Sequence, residues 1–391
     1  LHLNTTGNYN TAVGRGALIN NTTASNNTAV GYQAGYSNTT GDLNTAVGKH
    51  ALYANTTGVS NDAFGGEALD ANTTGNFNVS VGRASLTTNT TGSNNTALGH
   101  ASLGSNTTAN DNTAVGYQSL TTNTTGTENV ALGSNALRAN TTANYNTAVG
   151  YSSLYNNTTG GQNSALGTAA LQANTTGIRN TALGWNALLN NTTAQGNTAV
   201  GAYAALANTT GAGNTFIGYD TAPTNTTGAS NSTLGAGSLH QNSTGNNNTA
   251  LGKDALYYNT TADANTAVGY QAGYSNTTGQ PITAMGYYTL NQNTTGVHNN
   301  AYGYRAMRLN TTGGYNTALG GDALYSNTTA SNNVAVGYQA GYSNTTGTDN
   351  TLIGGAAGDA LTTSNGNTAL GRLALSAETS SNGNTAIGAE A

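Results

Sequence analysis

The chain has 391 residues; 54 are Gly, none is Cys, 6% are charged, and 9 basic against 14 acidic residues leave a net charge of −5. So few and so scattered positive charges exclude a nucleic-acid footprint and a polybasic membrane surface. The lack of Cys excludes disulfides and thiolate metal sites, and no apolar run is long enough to span a bilayer.

Abundant Gly and Asn would suit a disordered chain, but their order argues otherwise. The stretch "GYQAGYSNTTG" at 31–41 returns letter for letter at 269–279 and 337–347. Gly14, Gly31 and Gly48 begin a series that steps by 17 residues to Gly388, so 23 units fill the chain without an insertion. A short fixed period is the signature of a solenoid whose units contact only their neighbours. With Leu1 as place 1, the unit reads L-x-x-N-T-T-G-x-x-N-T-A-V-G-x-x-A. Place 14 is Gly and place 13 is apolar in all 23 units; place 4 is Asn in the first 21, and place 10 is Asn everywhere except Ile282.

In chain order, the first predicted element is a strand over Asn10–Gly14, because a Val-bearing run bounded by Asn and Gly reads as a short strand. Val13 is expected to face the coil interior, with Ala12 and Gly14 facing outward. A turn at places 15–16 and a second strand over places 17–2 should follow, and "NTTG" should close the coil. The predicted fold is an all-β, parallel β-solenoid (β-roll) of 23 coils of 17 residues. Stacking at ~4.8 Å would make a rod of roughly 105 Å. A one-residue slip would turn every inward side chain outward, which explains the unbroken step. Asn4, Asn21 and Asn38, and Asn10, Asn27 and Asn44, are expected to form amide ladders up the stack. Gly14, Gly31 and Gly48 should mark a bend or a close backbone approach.

Residues 1–357 read as the regular array and 358–391 as its divergent last coils. There Leu361 and Glu378 replace the place-4 Asn, and "SNGN" appears at 364–367 and 381–384. Terminal repeats are often atypical, so a boundary is expected near or beyond the C-terminus. The first unit is at full consensus and opens on Leu1 rather than Met, so the expectation is a mature product or an excerpt with further coils before it.

A strand small and apolar on both faces is usually covered on both. One Val and one Leu per coil is a thin core against about 1–2 kcal/mol of backbone entropy per residue. Self-association along the Ala/Gly face, preferably as a homotrimer and otherwise as a filament joined laterally or end to end, would make up the deficit. The motif "N-T-A-V-G-x-x-A" resembles the coil repeat of YadA-like heads in trimeric autotransporter adhesins. "NTAVGYQAGYSNTTG" looks like repeats of bacteriophage and bacterial fibre proteins. Those resemblances imply a left-handed β-roll, a trimer, and a role in an extracellular, cell-surface or virion fibre. The coil here is longer than the YadA-like one by its "NTTG" segment.

The residues themselves point to a non-enzymatic structural component: a rigid shaft for display or adhesion, with no cofactor, no metal and no nucleic-acid partner. The five His fall at four different places, and no carboxylate pair recurs. Eight of the 22 Tyr sit at place 15 and seven at place 2. Tyr32, Tyr36, Tyr270, Tyr274, Tyr338 and Tyr342, with Trp185, are therefore candidates for contact with cell-surface glycans. Mutual packing of the rings is the weightier reading. Each "NTT" is also an Asn-x-Thr sequon, making Asn4, Asn21 and Asn38 candidate glycosylation sites, although a ladder would engage their amides. Thr at places 5, 6 and 11 invites comparison with ice-binding solenoids. Those need ranks two residues apart on one strand, whereas Thr5 and Thr6 are adjacent.

Overall fold

A computed structural model describes all 391 residues. Each seventeen-residue coil contributes one strand of three or four residues, from Thr11–Val13 to Thr385–Ile387, and there is no helix. The chain divides into two units, Leu1–Gly196 and Asn197–Ala391, holding eleven and twelve of the strands. Within each unit the strands pair in parallel with residue n opposite n + 17. Thr28, Ala29 and Val30 face Thr45, Ala46 and Val47 in the first unit. Thr249, Ala250 and Leu251 face Thr266, Ala267 and Val268 in the second. Each unit is thus an all-β parallel solenoid.

The strand is turned the opposite way from the expectation. Ala29, Ala63 and Ala97, all at place 12, are fully buried, whereas Val13, Val30 and Leu98 at place 13 are 57%, 37% and 46% exposed. The cause is space. A place-1 Leu (Leu52, Leu69, Leu86), a place-17 Ala and two buried Asn columns already fill the narrow interior. Opposite the place-1 Leu there is room for a methyl group and little more. Place 12 takes a large residue only where its place-1 neighbours shrink. Phe216 lies between Ala205 and Ala222, all three fully buried. Leu352 lies between Gly341 and Gly358, where an added Cβ would come within 2.8 Å of a Leu352 methyl. Such volume-conserving exchange is what a close-packed core tolerates. Around Gly35 the space is closed by Leu18 of the preceding coil, 3.0 Å from an added Cβ, rather than by the flanking tyrosines.

The predicted second strand over places 17–2 is absent; that segment is a turn. Backbone there still bonds from coil to coil, as in Leu52 N–H to Ala68 O at 2.9 Å. Left-handed residues at places 16 and 1, such as His50 (φ 58°) and Leu52 (φ 53°), prevent extension. Place 9 is left-handed too, as at Asn26 (φ 58°). At place 14 φ runs from 128° to 144°, and a Cβ on Gly82 would lie 2.6 Å from the Gly99 carbonyl oxygen. Only Gly fits that column.

Two Asn ladders complete the interior. At place 4, Nδ2 donates to the carbonyl three residues on and, from Asn21 onward, to Oδ1 of the preceding coil. Asn72 does so to Asn55 at 2.9 Å and to Gly75 at 3.0 Å. At place 10, the backbone N–H donates to Oδ1 of the coil before (Asn61 to Asn44, 3.0 Å), while Nδ2 reaches the place-7 carbonyl ahead (Gly75, 2.9 Å). Ile282 keeps the first bond, since its donor is backbone (to Asn265, 2.9 Å). Leu361 cannot keep the other: it is fully buried, and Asn344 Oδ1 below it has no donor.

Candidate functional site

In-register stacking turns each place of the repeat into a column, so a site can only be a column or a group of neighbouring columns. Places 15, 16 and 2 lie side by side on one face. Arg305 (place 16) shows this, with its guanidinium carbon 4.7 Å from the ring centre of Tyr304 (place 15) and 5.0 Å from that of Tyr325 (place 2).

Most candidate tyrosines stack on each other along these columns. Tyr36 lies on Tyr53 at 5.1 Å, Tyr274 on Tyr257 at 5.3 Å, Tyr342 on Tyr325 at 5.1 Å, and Tyr270 on Tyr287 at 5.3 Å. In each of these pairs the stacking covers one ring face of each partner. Tyr32 tilts against His50 at 5.7 Å, and Trp185 is 53% exposed in the place-15 column. Tyr338 differs: it is 62% exposed, and place 15 is Gly in the coils on both sides (Gly321, Gly355). Burial, with a hydrogen bond to Tyr258, pushes the Tyr274 hydroxyl up to about 12. Burial likewise raises Tyr257 and Tyr270, and the hydrogen bond to Tyr288 raises Tyr287.

The sequon amides point inward. Asn21 and Asn38 are buried, and Asn38 Nδ2 donates to Asn21 Oδ1 and Gly41 O, both at 3.0 Å. A glycan on that nitrogen would have to break the ladder. Asn4 is half-buried, and its Nδ2 donates to Gly7 O at 2.9 Å. The place-5 hydroxyls are engaged as well, as in Thr39 Oγ1 to Thr56 O at 2.9 Å, which leaves only the place-6 Thr free on that turn.

The face that sequence reasoning missed is the outer side of the strand. Places 11 and 13 project there together, giving in each unit a column of mostly Thr beside an apolar column, Val13 to Leu183 in the first and Val200 to Ile387 in the second. Only Asp62 carries a charge in either column. Strict alternation could have shown that places 11 and 13 share a face; it could not show which face is outside.

Three ion pairs form, His240–Asp220, Arg305–Asp322 and Arg372–Glu390, each between different coils. Arg305 grips Asp322 in the next coil through Nε–Oδ1 at 2.8 Å and Nη2–Oδ2 at 3.0 Å. His50 Nε2 lies 3.0 Å from Gln33 Oε1 of the preceding coil. No three His, Asp or Glu gather in metal-binding geometry. At place 2, burial raises the carboxyls of Asp70 and Asp359, and one oxygen of each has no hydrogen-bond donor.

The fold defines the class of protein: a parallel β-solenoid with internal Asn ladders and surface aromatic columns. No protein-family model and no curated protein sequence matches the chain.

Proposed function

We propose that the chain is a non-enzymatic structural segment of an extracellular or virion fibre. It bears load along its stacked coils and associates with further copies of itself, as a homotrimer in the preferred arrangement. The supporting observation is the place-13 column: all 23 residues are apolar, none is buried, and several, such as Leu166 at 48% and Leu319 at 49%, are half exposed. Solvent-facing positions have no reason to stay apolar through every repeat unless something covers them. Their sizes range from Val to Tyr302, which suits a yielding protein partner and not a lattice such as ice. Ala29, Ala63 and Ala97 are buried, so this reading moves the expected seam from the Ala/Gly face to the Thr/Val face.

The test is mass in solution. The intact chain should sediment as an oligomer, and Leu98→Asp with Leu132→Asp should shift it to monomer with the β spectrum retained, because both side chains point outward. A wild-type chain that stays a stable monomer at tens of micromolar would overturn the reading.

A further inference from the structure

The place-15 column shows by example what fits between its coils. Where consecutive coils carry Tyr, rings stack at 5.3 Å (Tyr270 on Tyr287) and 5.7 Å (Tyr287 on Tyr304). Above Tyr338 the next member is Gly355, and an added Cβ there would meet no atom within 4 Å. The coil that follows Tyr338 is stripped along this whole face, reading Gly355-Ala356-Ala357-Gly358-Asp359-Ala360. One coil further, place 15 is Arg372, two-thirds exposed, whose Nη1 donates to Glu390 Oε1 at 3.0 Å. A gap one ring thick therefore opens between Tyr338 and Arg372. It is floored by glycine and alanine and bordered on the place-2 side by Asp359. On its other side Tyr338 Cδ2 lies 3.5 Å from where a Cβ on Gly321 would stand, so the ring leans toward Gly321 and away from Gly355.

We propose that this gap binds one hexopyranose ring of a glycan. The apolar face of the sugar stacks on Tyr338 where the next tyrosine of the column would lie. Its hydroxyls face Gln339 and the Asp359 carboxylate on the rim; the Asp359 oxygen that finds no donor is itself sealed from water, so the sugar meets that group through the other oxygen. A sugar, unlike an aromatic ligand of the same height, brings hydroxyls to that rim. The gap lies on the columns of places 15, 16 and 2 and the self-association seam on those of 11 and 13, so either can fail without the other.

The intact chain is screened on an array of immobilised glycans, and hits are followed by saturation-transfer NMR with the corresponding methyl pyranosides. Tyr338→Ala removes the stacking face. Gly355→Tyr fills the gap with the column's own ring; Gly355 has no left-handed φ, so the fold accepts it. Both variants are expected to weaken binding at least tenfold, while Tyr32→Ala, in a column flanked by Arg15 and Lys49, leaves it unchanged. If no glycan binds, or if Gly355→Tyr binds as the wild type does, the site does not exist.

Discussion

At the scale of single residues, the interior is held by amides as much as by hydrocarbon. Asn72 makes two donor bonds and accepts a third from Asn89 Nδ2 at 2.9 Å, all in a site sealed from water. Asn72→Ala strands the acceptor of Asn55 and the donor of Asn89 together. Each orphaned buried group costs about 1–3 kcal/mol, so the coils around it should lose about 3 kcal/mol. Native-state hydrogen exchange should then show roughly hundredfold faster opening of amides between 55 and 89, with distant coils unaffected. Uniform loss of protection along the chain, or none, would refute the ladder's role. The ladder was legible in the sequence because a polar side chain recurring every 17 residues with both donor and acceptor can only satisfy itself up the stack. The inward side of the strand was not. Alternation says which residues share a face, and small Ala on one side against Val on the other reads naturally as Val inside. Only the volume already taken by the place-1 Leu and the two Asn columns reverses it.

The element of this fold is the coil, and its shape comes from backbone conformations that most residues avoid. Gly116 has φ 132°, and an added Cβ would sit 2.5 Å from the Gly133 carbonyl oxygen. That oxygen is backbone and fixed by the coil above, so the clash cannot be relieved by a rotamer. Gly116→Ala should cost about 2 kcal/mol or more, the scale of left-handed strain plus a lost close approach. Proteolysis should find a new cut near 116–133 while cuts elsewhere keep their wild-type rates. If the variant is as resistant as the parent, the close approach does not constrain the coil. The glycine column was visible from its invariance through the repeats. The left-handed leucines at place 1 were not, because Leu carries no sign of φ. Leu tolerates that strain here since its side chain is the main apolar filling of the coil, and where Gly stands instead, Leu18 or Leu352 moves into the space.

For the molecule as a whole, nearest-neighbour stacking means that stability is a sum of coil terms, so a local chemical change should open the chain locally. Tyrosine ionisation supplies such a change. The raised hydroxyls, Tyr257, Tyr270, Tyr274 and Tyr287, all lie within a few coils of the second unit. Unfolded, they would release their protons near the ordinary value of 10.0, whereas folded Tyr274 holds its proton to about 12. A group whose folded pKa is raised gives stability that is complete below the unfolded value and lost as pH climbs through the folded one. The coils around 257–287 should therefore loosen first between pH 10 and 12, each phenolate adding to a chain already net negative by 5 charges. A protease active at pH 11 should cut there while Leu1–Gly196 stays intact, and returning to pH 8 before adding protease should abolish the cuts. Replacing Tyr258 with Phe removes a hydrogen bond that raises Tyr274, so the loss of stability above pH 10 should be smaller and complete at a lower pH than in the parent. If the first unit opens first, or both open together, the tyrosine columns are not what sets the alkaline limit.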